Sequence, residues 1–105
     1  MWICMNESFV SIVDKGDPTH QTLLVRARKA GDIENVFPEA NVVANAGTDY
    51  PFRARIDREI VAGRIAEEVR GIDYGNFKSS VHDPLRHDVY MDVWSDLLRL
   101  QKGGV

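Results

Sequence analysis

Along the first half of the chain, apolar residues come in short runs or alternate with polar ones. Beyond about residue 57 they recur every three or four positions. The first pattern is that of strands and the second that of helices. Trp2–Met5 and Phe9–Val13 are two apolar runs separated by the turn-suited Asn6-Glu7-Ser8, which predicts a hairpin. Gly16-Asp17-Pro18 marks a loop. In Thr22–Arg28 the residues Leu23, Val25 and Ala27 share one strand face, and Leu24, Arg26 and Arg28 share the other. Asp32–Phe37 reads as a short helix ended by Pro38. Asn41–Asn45 reads as a further strand, with a loop through Gly47-Thr48-Asp49. In the final strand, Tyr50–Ile56, Tyr50, Phe52, Ala54 and Ile56 alternate with Pro51, Arg53 and Arg55. Pro51 has no backbone donor and places this strand at an edge or its own start.

Asp57 is suited to cap a helix over Arg58–Arg70, whose apolar stripe is Ile60, Val61, Ile65, Val69 and Ile72. Gly63 inside that helix costs about 1 kcal/mol relative to Ala and suggests a close approach to a strand. Gly71 and Gly75 end the segment, and Asn76–Val81 reads as a short helix. Asp83-Pro84 is a helix start, with Asp as the cap and Pro in the first turn. The helix that follows runs to about Gln101, before Gly103-Gly104. These elements define an α+β fold: an antiparallel sheet of four to five strands within residues 2–56, covered on one face by the C-terminal helices. No linker composition divides the 105 residues, so a single domain over 1–105 is expected.

Composition narrows the class. With 44% hydrophobic and 28% charged residues the chain has the makeup of a globular domain, not of a disordered one. No apolar run approaches the ~20 residues of a membrane span. The opening Met1-Trp2-Ile3-Cys4-Met5 has no basic flank or long apolar stretch, so no signal peptide is expected. One cysteine forbids an internal disulfide, and a cytoplasmic location is the expectation. The formal net charge of -3 weighs against strong attraction to a polyanion.

The last helix carries the clearest functional signal. At 100° per residue, Leu85, Val89, Val93, Leu97 and Leu100 form one stripe, read as facing the core. Met91, Trp94 and Leu98, with His87 and Tyr90 at the margins, form a second. The combined arc of roughly 240° exceeds the ~100° that a surface helix needs. Either helix Arg58–Arg70 and the Tyr74–Phe77 segment cover the second stripe, or it meets a protein partner or a second copy of the chain. In the latter reading Tyr90, Met91, Trp94 and Leu98 are the binding residues. Asp88, Asp92 and Asp96 lie toward the start of this helix, with Arg99 and Lys102 near its end, an order that suits the helix dipole.

The alternative is a nucleic-acid-binding protein. Arg26 and Arg28 share a strand face, as do Arg53 and Arg55, and in one sheet they make a basic patch for phosphate. No aromatic residue alternates with them in sequence, so base stacking is not indicated there. A second alternative is a small enzyme using Cys4 or the His82–His87 region. Against it, there is no metal-ligand spacing, phosphate-cradling loop or nucleophile elbow. The sequence implies no cofactor and no metal.

The Met1-Trp2, Phe9 and Ser11 positions, the run Leu24-Val25-Arg26-Ala27-Arg28, and above all Ile72-Asp73-Tyr74, Asn76-Phe77-Lys78, His87, Tyr90 and Val93-Trp94 form a pattern. It resembles that of a group of short uncharacterised bacterial and phage proteins, over nearly the whole chain. The resemblance brings no activity and no site residue. It implies a bacterial or phage setting and, as for many small phage proteins, an inhibitor or adaptor acting on a host complex.

Overall fold

A computed structural model describes residues 1–47 and 49–103. Thr48 of the expected loop and Gly104 of the expected helix end lie outside the described residues. The chain divides into two compact units, Met1–Asp73 and Tyr74–Val105.

The first unit holds β1 (Trp2–Cys4), β2 (Phe9–Val13), β3 (Thr22–Ala27), α1 (Asp32–Val36), β4 (Phe52–Asp57) and α2 (Arg58–Arg70). The strands form one antiparallel sheet in the order β1-β2-β3-β4. The register puts Ile12 opposite Val25 and Val25 opposite Ala54, which aligns the apolar faces read from the sequence. Val10, Ile12, Val25, Ala27, Ala54 and Ile56 are buried against Ile33, Val36 and Phe37 of the α1 region and Val61 of α2. The sheet is therefore covered on this face by α1 and α2. Asp32, 3% exposed, accepts the Phe9 N–H through Oδ2 at 3.0 Å and ties α1 to the hairpin.

Three local expectations change. The strand expected over Asn41–Asn45 shrinks to one bridge, in which Val43 exchanges backbone hydrogen bonds of 2.8 and 3.1 Å with Arg53. Asn45 turns left-handed at φ 56, which ends any extension along β4. Asp57 occupies the cap position of α2 but makes no side-chain cap bond; the Arg58 N–H bonds Gln21 O at 2.8 Å instead. Among the described residues a Cβ on Gly63 would meet nothing within 4 Å, so no close approach there explains that glycine. Gly16 is different: its φ of 86 strains any other residue, and an added Cβ would displace the Arg55 guanidinium, whose Nη2 lies 2.7 Å from that position.

The second unit holds α3 (Phe77–Ser80) and α4 (Pro84–Gly103). Asn76 caps α3, its Oδ1 accepting from Ser79 N at 3.1 Å and Ser79 Oγ at 3.3 Å. Asp83 caps α4 through the Arg86 N–H at 2.9 Å. The buried hydrophobic residues described in this unit are Val81 and Tyr90. Phe77 stacks on Tyr90 with ring centroids 5.8 Å apart, and Tyr74 lies 5.9 Å from Phe77.

Candidate binding surfaces

The placement of α3 decides which side of α4 stays open. The Asn76 cap and the Tyr74–Phe77–Tyr90 ring chain bring α3 onto the Tyr90 side. Tyr90 is 7% exposed and its hydroxyl accepts from Arg86 Nη1 at 3.3 Å. Met91 and Leu98 are half-buried. Trp94 is 46% exposed, with the Lys78 ammonium 4.3 Å from its ring centroid. The other stripe faces outward: Leu85, Val89, Val93, Leu97 and Leu100 are all exposed, Leu85 and Leu100 at 71% and 70%. This corrects the wheel reading. The excess apolar arc is present, but the stripe read as core is the open one, and the group Tyr90, Met91, Trp94 and Leu98 is partly covered.

The open stripe has an asymmetric border. Asp92 and Asp96 follow it along one edge, with Asp88 just beyond, and all three are exposed. The stripe runs from Leu85 to Leu100, about 22 Å along the helix axis. The surface is thus apolar along its middle, with one margin carrying Asp88, Asp92 and Asp96 and, toward the helix end, Arg99.

The second surface lies on the sheet face opposite α1 and α2. There the register aligns Trp2 with Ser11, Ser11 with Arg26, and Arg26 with Arg53 in one transverse row. Arg55 lies opposite Leu24 in the neighbouring row. Of the four arginines expected on one face, Arg26, Arg53 and Arg55 share it by register, and Arg28, just beyond β3, reaches the same Tyr50 ring as Arg26. Arg26 donates from Nη2 to the buried Ser11 Oγ at 2.8 Å, and Arg28 from Nη1 to Asp49 O at 2.6 Å. Arg53 donates from Nε to Tyr50 O at 3.2 Å and from Nη2 to Asp49 Oδ1 at 3.3 Å. Arg55 donates to Thr22 Oγ1 and Lys15 O at 3.2 and 2.9 Å. The guanidinium carbons of Arg26 and Arg28 each lie 4.5 Å from the centroid of the buried Tyr50 ring. Among the described residues the buried Arg26 Nε has no hydrogen-bond acceptor, and the π face of Tyr50 beside it supplies the favourable contact. The carboxyl of Asp49 is held below its ordinary value, first by its own backbone N–H, then by the Tyr50 N–H and the charges of Arg53 and Arg26, against opposing desolvation.

Aromatic residues on this face are what the linear pattern concealed. Trp2, 74% exposed, meets Phe9 edge-on with centroids 6.4 Å apart. Both belong to strands that come beside the arginines only through the antiparallel register. The signal available in the sequence was strand parity: Trp2, Phe9 and Ser11 each fall on the face away from Val10 and Ile12.

The remaining titratable candidates do not converge. Among the described residues no group of three His, Cys, Asp or Glu side chains is placed to hold a metal ion. His87 Nδ1 lies 3.8 Å from Asp88 Oδ1, while Asp83 serves as the α4 cap. His20 and Arg58 both meet Asp14 Oδ2, at 2.9 and 2.6 Å. Cys4 is exposed on β1, level with Phe9. Among the described residues no helix is long and apolar enough to cross a membrane. No protein-family model matches the chain, and no curated protein or solved structure shows a significant match to it.

Proposed function

We propose that the chain is a protein-binding module whose α4 seats a helix of a partner protein, the partner carrying basic side chains along one edge of its own apolar face. The supporting observation is the open stripe Leu85, Val89, Val93, Leu97 and Leu100. An apolar helix face of this length facing water is the usual mark of a helix-in-groove or helix-on-helix contact. The unit that bears it is small, and below about 40 residues a domain usually gains stability from an added constraint or a partner.

Charge distinguishes a foreign partner from an antiparallel second copy. In an antiparallel pair of α4 helices centred on Val93 the two Asp edges fall on the same side of the seam, with Asp92 of one copy about 3 Å along the axis from Asp92 and Asp96 of the other. In a parallel pair the two-fold runs along the helices, so each Asp edge lies across the seam from the opposite margin of the other copy, which carries Arg86 and Tyr90. The antiparallel arrangement gathers like charges at the middle of the seam. A partner helix with Lys or Arg along that edge meets Asp88, Asp92 and Asp96 favourably. In the bacterial or phage setting implied by the sequence resemblance, such a module acts as an inhibitor or adaptor on a host complex and needs no chemistry of its own.

The test pairs two measurements. Sedimentation of the purified chain over a wide concentration range should show a monomer. Titration with two designed amphipathic peptides of identical apolar face, one Lys-flanked and one Glu-flanked, should give saturable, salt-weakened binding of the first only. The combined Val93→Ser and Leu97→Ser substitutions should abolish it. Equal binding of both peptides, binding to neither, or a stable homodimer through α4 would overturn the proposal.

A further inference from the structure

We infer that the outer face of the sheet binds single-stranded nucleic acid, with a base stacked on Trp2 and the backbone phosphates running over the arginine rows. The two parts of such a platform are both present and correctly spaced. Trp2 stands in the open with its ring steadied by Phe9. Arg26 lies two strands away in the same transverse row, about 10 Å off. An exposed aromatic ring accepts any base because each base has a π face, and guanidinium groups alongside take the phosphates.

The arginines are also pre-set. Each is held by protein acceptors or by the Tyr50 ring, yet a guanidinium has five N–H groups, and the protein bonds at each use one or two of them. Side chains already fixed lose less freedom when an anion arrives. The local charge agrees: four arginines share this face with the carboxylates of Asp17, Asp49 and Asp57, in a chain of formal net charge -3. That contrast confines a polyanion to this face, and the acidic remainder keeps the affinity modest. A double helix is disfavoured, because its bases are stacked internally and cannot reach Trp2.

The experiment uses the full chain carrying Trp94→Phe, so that Trp2 alone reports. Fluorescein-labelled twelve-nucleotide oligo-dT and oligo-rU are titrated at 50 mM salt, following anisotropy and tryptophan emission. Binding of either strand, with quenching of Trp2, is the expected result. Two or three phosphate contacts imply about 10-fold weaker binding at 200 mM salt. Trp2→Ala should weaken binding about 10-fold, as expected for one lost stacking contact. Arg28→Gln should weaken it and reduce its salt dependence. Circular dichroism of each variant shows that the fold is kept. No binding of either strand at 50 mM salt, equal affinity for duplex DNA, equal affinity for polyglutamate, or binding unchanged in both variants would overturn the inference. The α4 stripe takes no part in this experiment, so its outcome is independent of the protein-partner proposal.

Discussion

Truncating Tyr90 and replacing Leu97 separate the covered side of α4 from its open side. Tyr90 is 7% exposed, stacked 5.8 Å from Phe77 and bonded through its hydroxyl to Arg86. An aromatic side chain of this kind removes roughly 150 Å² or more from water, and at about 25 cal/mol per Å² its loss costs about 4 kcal/mol. That lies within the ~3–5 kcal/mol typical of an aromatic residue cut to alanine. Leu97 is 55% exposed, so less than half of its side chain leaves water. Its share of the ~1.5–3 kcal/mol for full burial is roughly 0.7–1.4 kcal/mol. Amide hydrogen exchange over α3 and α4 reads both losses directly. Tyr90→Ala should remove most protection across these helices, whereas Leu97→Ser should leave it nearly intact. A Leu97→Ser variant that loses as much protection as Tyr90→Ala would refute the assignment of the covered side.

Other outcomes follow from local geometry. Gly63→Ala should stabilise the first unit by about 0.5–1 kcal/mol in a urea titration, because the position is helical and an added Cβ meets nothing within 4 Å among the described residues; destabilisation would reveal a contact there. Asp83→Ala should cost about 1 kcal/mol of α4 stability, while Asp57→Ala at the uncapped start of α2 should cost only a few tenths; equal costs would contradict the capping assignment. The carboxyl of Asp17 is held far below its ordinary value, chiefly by the Thr19 hydroxyl, then the Thr22 hydroxyl, with both backbone N–H groups adding to them. Its folded value being depressed, the contribution of this turn is complete above the unfolded value near 4 and is lost only as pH falls below about 4. The Thr19 and Thr22 amide signals should therefore hold constant from neutral pH to about pH 4 and shift only in stronger acid, and a carboxyl midpoint for Asp17 near 4 would contradict this.

Strand parity and helix periodicity carried most of the fold. Leu23, Val25 and Ala27 alternate cleanly with Leu24, Arg26 and Arg28, so one register satisfies both faces, and the structure adopts it. The stretch Asn41–Asn45 was misread because two valines give a strand signal that Asn45, in a left-handed conformation, cuts short. On α4 the width of the apolar arc was legible, but its direction was not. A helical wheel ranks positions by angle and says nothing of where a four-residue neighbour will land. The landing depends on the Asn76 cap and on the ring chain from Tyr74 to Tyr90. The arginine face was legible from alternation alone. The Trp2 and Phe9 rings beside it were not, because antiparallel pairing joins residues distant in sequence.

Exposure of the open stripe in the free chain is the condition on which a docked partner depends. A soluble nitroxide added to protein with labelled methyl groups broadens each methyl signal according to its access to water. The methyls of Val89, Val93, Leu97 and Leu100 should broaden strongly, while those of Val25 and Val10, both fully buried, stay sharp. Stripe methyls as sharp as that of Val25, in a monomer at low concentration, would contradict an open docking face on α4.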